Sequence, residues 1–435
     1  MTKTNKTNYR WVVVALLFFA TTINYLDRQV IGLLKPTLEK QFAWTEEDYG
    51  HIVMAFQAAY AIGLLAFGGF IDKLGTRIGY TLSLVVWSLA AMLHAIVKTT
   101  LGFGAVRAAL GLGESGNFPA AIKVVAEWFP KKERALATGV FNSGANVGAV
   151  VAPILVPWLL GAYNWQTAFI ITGALGFIWL IFWLIFYEVP NRHKKINEAE
   201  YQYIHSDIDG AAVEKGVVEE GVEQKIKWTR LFGMRQTWVF VVGKFFTDPI
   251  WYFFLFWLPS YFASTFHLDL SKPSLPLVLV YTATTIGSIG GGHLSSWLIK
   301  RGMPVFRARK MTMLIFALCV VPIFAARYAA SIWQAVALIS LAAAAHQAWS
   351  ANIFTTTSDM FPKKAVSSVV GIGGMAGSIG GIIFPSFIGW ILATYKHAGN
   401  ITAGYNIIFT VCACAYLFAW IIMHLLAPKM KLVKL

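Results

Sequence analysis

Six ionisable side chains stand within runs of sequence otherwise apolar enough to cross a bilayer: Asp27, Arg28, Arg107, Glu114, Lys244 and Asp248. Alone at mid-membrane each would cost about 2.5–3.5 kcal/mol, and together about 15–20 kcal/mol. That exceeds the net stability of a typical folded protein, about 5–15 kcal/mol, so these groups must pair or line water. Arg107 and Glu114 are two helical turns apart, about 10.5 Å along one face, with Gly111, Gly113 and Gly116 thinning the helix around them. Lys244 and Asp248, at i,i+4, can pair within one helix. Asp27 lies about 100° around its helix from Arg28 and addresses a neighbouring helix. If it pairs with Arg107, Arg28 is left positive beside Glu114. The cavity is then cationic, suited to a carboxylate, with an acid at hand that can gain or lose a proton. A lattice of buried ions that only locks helices together is the alternative; a passage for a polar solute is the expectation.

Other polar residues fall on the same spans. Tyr25 shares a helix face with Arg28, and Gln57 and Tyr60 lie on the next span. His346, Trp349 and Asn352 lie near one face of a late span. Arg28, Tyr25, Tyr60, His346, Trp349 and Asn352 are the candidate substrate contacts. Ordinary helix packing is the competing reading for Gln57, Tyr60 and Trp349, and it is the expectation for Asn142 and Asn146. Nine scattered histidines and three cysteines in apolar runs, Cys319, Cys412 and Cys414, form no ligand cluster, so no metal and no cofactor is expected.

The elements that must carry these residues are membrane spans. Of the 435 residues, 57% are hydrophobic and 13% charged, and the mean hydropathy is +0.60. A span needs about 20 apolar residues. Segmentation gives twelve spans, near 10–34, 47–71, 79–98, 101–126, 134–160, 165–188, 237–262, 275–299, 311–328, 331–357, 366–392 and 403–427. The formal charge of +15 is concentrated in alternate connections and the two ends. That is the positive-inside pattern; it places both termini in the cytoplasm and accounts for the basicity without a nucleic-acid partner. The basic N-terminus and the apolar run after it lack a small-residue cleavage site and read as a retained first span. The longest polar segment divides the chain into an N-terminal six-helix half (1–189), a cytoplasmic linker (190–236) and a C-terminal six-helix half (237–435). The linker carries Glu214, Glu219, Glu220 and Glu223 and is expected to be partly helical. The fold class is thus all-α integral membrane, with lipid as its surroundings and a monomer as the expected unit.

The halves repeat one another. Phe129-Pro130-Lys131-Lys132 matches Phe361-Pro362-Lys363-Lys364 at an offset of 232, which also superposes Gly139 on Gly371 and Gly148 on Gly380. An offset of 223 superposes Pro36 on Pro259 and Gly69 on Gly292. Two halves in one orientation imply a pseudo-two-fold along the membrane normal. The repeat maps Glu114 onto His346, so equivalent points both carry a protonatable group. In the connection after the second span, Asp72 and Arg77 can pair or cap helix ends, a latch between helices rather than a ligand site.

With these residues in place the chain resembles the major facilitator superfamily over essentially its full length. Gly68, Asp72, Gly75 and Arg77 meet that superfamily's loop motif, G-x-x-x-D-x-x-G-x-[RK]. The stretches NYLDR, EWFPKKERALATG and HQAWSANIFTTTSDMFP resemble its anion:cation symporters, and within them bacterial hexuronate and sugar-acid transporters. The resemblance implies proton coupling at Asp27 and Glu114, Arg107 paired with the aspartate of the first span, carboxylate binding by Arg28, and substrate contacts from Tyr25 and Tyr60. Lys244 and Asp248 resemble the basic–acidic pair of hexuronate-type members. Galactonate-type members carry glutamine at the position of Ala145 and asparagine at that of Gly374, which leaves hexuronates such as glucuronate or galacturonate ahead. The expected partners are therefore a sugar-acid anion and protons. Exchange of organic anions without protons is the alternative of the same fold. A membrane enzyme would need a nucleophile–base pair or metal cluster, and the sequence offers neither; a transport-fold sensor would need an output domain for which the short termini leave little room.

Overall fold

The computed structural model describes residues 7–206, 228–268 and 275–433. Glu214, Glu219, Glu220 and Glu223 lie outside the described residues. All regular structure described is helical. The N-terminal half comprises α1 (Arg10–Phe42), α2 (Glu46–Leu74), α3 (Thr76–Leu93), α4 (Thr100–Glu114), α5 (Asn117–Trp128), α6 (Lys131–Ala162) and α7 (Trp165–Phe186). Short helices α8 (Glu198–Ile204) and α9 (Trp228–Phe232) follow. The second half comprises α10 (Arg235–Phe256), α11 (Leu258–Phe266), α12 (Leu275–Lys300), α13 (Val305–Val320), α14 (Ile332–Met360), α15 (Val366–His397) and α16 (Ile401–Leu426).

Helix boundaries follow local chemistry. A capping box between Thr45 and Asp48 opens α2, while the side chains of Asn164, Ser331 and Asn400 cap α7, α14 and α16. Gly75, at φ 82°, ends α2 in a conformation that favours glycine. The repeated Phe-Pro-Lys-Lys signature marks equivalent helix starts: Pro130 caps α6, and Pro362 precedes the turn that leads into α15.

Among the described residues, ten helices are long and apolar enough to span a membrane. The remaining two spans are α4–α5 and α14. The first is broken at Ser115-Gly116 into two helices rather than running through 101–126; the second is diluted by its own polar residues. These two carry Arg107, Glu114, His346 and Gln347, and the repeat makes them equivalent. Their polar residues stand alongside Asp27 and Arg28 on α1 and Lys244 and Asp248 on α10, which are apolar enough to span.

Packing repeats the internal symmetry. Along α1 lies α6, and along α2 lies α4; correspondingly α10 packs on α15 and α12 on α14. Between the halves, α6 crosses α12 and α15 crosses α2. Repeat-related glycines sit at both crossings: a Cβ on Gly139 would strike the Ser288 carbonyl oxygen, and one on Gly371 that of Leu64. The first and last described residues lie on one side, called here the terminal face. Tyr9 and Arg10 donate from their backbone to Glu200 at 3.0 and 3.2 Å, Lys300 reaches Glu133 at 3.9 Å, and Val433 donates to the Met360 carbonyl at 2.8 Å.

At that face the halves are tied together. Asp72 accepts the backbone N–H groups of Ser367 (3.3 Å) and Ser368 (2.7 Å), capping α15 from across the interface, and pairs with Lys123 at 2.9 Å. Of the two arrangements open to it, capping and pairing with Arg77, it makes the first. Arg77 instead bonds Glu188 and the Leu184 carbonyl, fastening α3 to the end of α7. Asp359 sits between Arg134 (3.1 Å) and Arg309 (3.0 Å), and Arg309 also reaches the Lys131 carbonyl at 2.6 Å.

Candidate functional site

Between the two halves lies a cavity lined by polar and aromatic side chains of both. From the first half it is lined by Tyr25, Arg28, Tyr60, Asn142 and Ala145. From the second come Lys244, Asp248, Trp251, Tyr252, His346 and Gln347, with Ser350 and Ser378 beside them.

Arg28 is the centre of the first wall. Its Nε donates to Glu114 Oε2 at 2.8 Å, and Glu114 is fully buried while the arginine side chain is 20% exposed. The guanidinium lies over the rings of Tyr60 (4.7 Å), Tyr25 (4.8 Å) and Phe56 (5.2 Å), a set of cation–π contacts that orients it. Arg28 Nη2 and Glu114 Oε1 have no hydrogen-bond partner. The pair is held yet unsaturated, leaving donor capacity for an incoming acceptor.

The expected pairing of Asp27 with Arg107 is not made. Arg107 donates through Nη2 to the main-chain carbonyl of Arg28 at 2.8 Å and lies over Phe56 at 4.6 Å. Asp27 is buried and faces α7 with Thr172 beside it, and among the described residues no cation pairs with it within 4.0 Å. Spacing along a helix gives the direction of a side chain, but not the depth and rotation at which a neighbouring helix arrives. Arg107 props the backbone of the cavity-facing arginine, and Glu114 takes the ion pair.

On the second wall, Lys244 and Asp248 form the expected pair at 2.7 Å, with the ammonium 4.2 Å over Phe354. His346 lines the cavity, stacks on Trp251 at 5.4 Å and hydrogen-bonds the Tyr416 hydroxyl through Nδ1. Trp349 and Asn352 do not line it. Trp349 packs edge-on against Tyr416, and Asn352 donates to the carbonyls of Gly291 and Ala348, both at 2.9 Å. The reason is helical geometry: Asn352 lies about 120° around α14 from His346, whereas Gln347, Ser350 and Phe354 fall within about 100° on the other side. Asn142, expected only to pack, does both jobs: it lines the cavity while donating to Gln347 Oε1 at 2.8 Å and Ser288 at 3.2 Å. Gln347, Trp251 and Tyr252 were missed. The available signal was the i, i+1, i+4, i+8 set on α14, and, for α10, Trp251 one turn beyond Asp248.

Two six-helix halves around a polar cavity are the architecture of an alternating-access carrier. Residues 17–385 match the family model of the Major Facilitator Superfamily. The chain belongs to that superfamily. It is an integral, multi-pass membrane protein of a family of transporters. The hexuronate transporter of Escherichia coli K12 is 31% identical over 387 residues, 88% of each chain. A galacturonate transporter of Dickeya chrysanthemi is 32% identical over 66% of this chain and 81% of its own. The likeness to hexuronate transporters carried by the sequence motifs is thus matched by whole-chain similarity. Among solved structures, the proton:xylose symporter XylE superposes with a TM-score of 0.73 at 15% identity, covering 98% of each chain, which speaks for the fold alone. Ala145 and Gly374, where galactonate-type members are expected to carry longer polar side chains, both line the cavity of this superfamily member.

Proposed function

We propose that the chain imports a monoanionic sugar acid, a hexuronate such as glucuronate or galacturonate, together with protons by alternating access. The observation that carries the reading is the Arg28–Glu114 pair: a cation at the cavity wall whose counter-ion is a fully buried acid. Substrate carboxylate and Glu114 compete for one guanidinium. A proton on Glu114 releases Arg28 to the substrate, so binding of anion and proton is cooperative, and by linkage each favours the other equally. Asp27 is the second proposed proton carrier: a buried carboxyl that no cation among the described residues pairs with must be met by water, a proton or a moving donor. Tyr25, Tyr60, His346 and Gln347 are placed to hydrogen-bond sugar hydroxyls. Because one chain encloses the whole cavity, a monomer suffices.

The basic connections support a bacterial-type inner membrane with both termini cytoplasmic. On that orientation, the ties at the terminal face through Asp72, Arg134 and Arg309 close the cytoplasmic side of the conformation described here. The test is uptake by proteoliposomes under an imposed pH gradient, across a panel of sugar acids. Accumulation of a hexuronate driven by inward proton flow is the expected result; uptake only against a preloaded anion would establish exchange instead.

A further inference from the structure

The cavity's two ion pairs face it in opposite senses. In the first half the base is presented, with Arg28 20% exposed and Glu114 fully buried. In the second half the acid is presented, with Asp248 22% exposed and Lys244 7% exposed behind it over Phe354. Arg28, Lys244 and Asp248 line one chamber together with Tyr25, Tyr60 and Tyr252, with Glu114 behind Arg28. Gly377 packs against Asp248 so closely that a Cβ there would come within 3.0 Å of its Cγ, which holds the carboxylate in place.

We propose that Asp248 sets the charge class of the substrate, accepting hydroxyl hydrogen bonds from the end of the sugar remote from Arg28 and excluding a second carboxylate there. This rests on the sugar-acid reading of the cavity. A monoanion with its carboxylate on Arg28 offers hydroxyl donors to Asp248, and an ionised carboxyl group is an acceptor only. A sugar diacid brings a second acceptor-only, negative group to the same place, where like charges at close range are strongly unfavourable. Lys244, the cation that could receive it, is already taken by Asp248. His346, the other group on that wall able to carry positive charge, is occupied at Nδ1 by Tyr416 and stacked on Trp251. The site therefore holds a latent second cation that its own acid masks.

D-Galacturonate and D-galactarate differ in oxidation state at one terminal carbon, a hemiacetal that closes a ring in one and a carboxylate on an open chain in the other, so the change in their affinity ratio between parent and variant reads this wall. The parent should prefer galacturonate by at least about tenfold, the scale of one charge-assisted contact. Asp248→Asn should move the galactarate-to-galacturonate affinity ratio toward the diacid by about tenfold or more, because it unmasks Lys244 and removes the repulsion. Adding Lys244→Gln should abolish that gain. A parent without preference, an unmoved ratio in Asp248→Asn, or a gain that survives Lys244→Gln overturns the assignment. If Asp248→Asn does not fold, the 1-deoxy analogue of galacturonate tests the parent alone: several-fold weaker binding supports the hydroxyl contact, and undiminished binding overturns it. A parent that binds no sugar acid overturns the transport reading as well, which separates the two failures.

Discussion

The cavity and the terminal face both hold buried ions, but they satisfy them differently. At the terminal face Asp359 takes Arg134 on one oxygen and Arg309 on the other, and the arginines spend further donors on the carbonyls of Ala126, Phe129, Ser358 and Lys131 and on the Ser295 hydroxyl. In and beside the cavity, atoms of Arg28, Glu114 and Arg107 are left without partners. A saturated cluster is stable in one arrangement and holds helices together. An unsaturated one keeps capacity for a ligand or a proton and tolerates rearrangement. Partner counts, rather than burial or charge, separate a latch from a binding site in this molecule.

The contrast can be broken at either end. The largest effect is expected at Arg28: Arg28→Ala should weaken hexuronate binding by about 100-fold, the range for losing a buried charge-assisted contact, with the fold intact by thermal melting. Arg28→Lys should also bind poorly, since it keeps the charge and loses the planar fork. Binding equal to the parent's in either variant would remove Arg28 from the site. At the terminal face Asp359→Ala should do the reverse. It strands two buried arginines at a cost of about 3–5 kcal/mol, which melting should show as a clear loss of stability, whereas the chemistry of the cavity itself is untouched. A smaller effect sharpens the boundary on α14. His346→Gln should weaken binding several-fold, the scale of one hydrogen bond, while Trp349→Phe, a change of similar size on the wrong face, should leave affinity within about twofold. Labelling of His346→Cys by a small polar thiol reagent, slowed by substrate, is the companion measurement; a residue that never labels does not face the cavity.

Much of this was legible in the sequence because membrane spans make charge conspicuous. The pairing of Lys244 with Asp248 followed from i,i+4 spacing within one helix, and the equivalence of α4–α5 with α14 followed from the Phe-Pro-Lys-Lys repeat. What failed was anything that depends on how separate helices dock. Spacing turned Asp27 only toward a neighbouring helix, and its pairing with Arg107 came from the resemblance; in the structure Arg107 arrives at the height of the Arg28 carbonyl and Glu114 at that of its side chain. Asp72 could pair with Arg77 or cap a helix end, and spacing could not show that the helix it caps starts nearly 300 residues away. The break at Ser115-Gly116 follows a close approach of α4 to α3 that sequence alone does not show: a Cβ on Gly113 would meet the Trp87 backbone, within 2.8 Å of its Cα. Trp349 and Asn352 were misplaced by treating three residues over two turns as one face, when the drift by the last is about 120°.

The central claim is that substrate and proton meet through Arg28 and Glu114, and Glu114→Gln tests it most directly because it mimics the protonated acid permanently. Hexuronate affinity and gradient-driven accumulation should be measured across a pH series on the same purified protein, parent and variant side by side. In the parent, affinity should rise as pH falls, since the proton that frees Arg28 is taken up with the anion. In Glu114→Gln that pH dependence should flatten and accumulation should vanish while binding persists. Full gradient-driven accumulation by Glu114→Gln, with the parent's pH dependence of binding intact, would contradict the account.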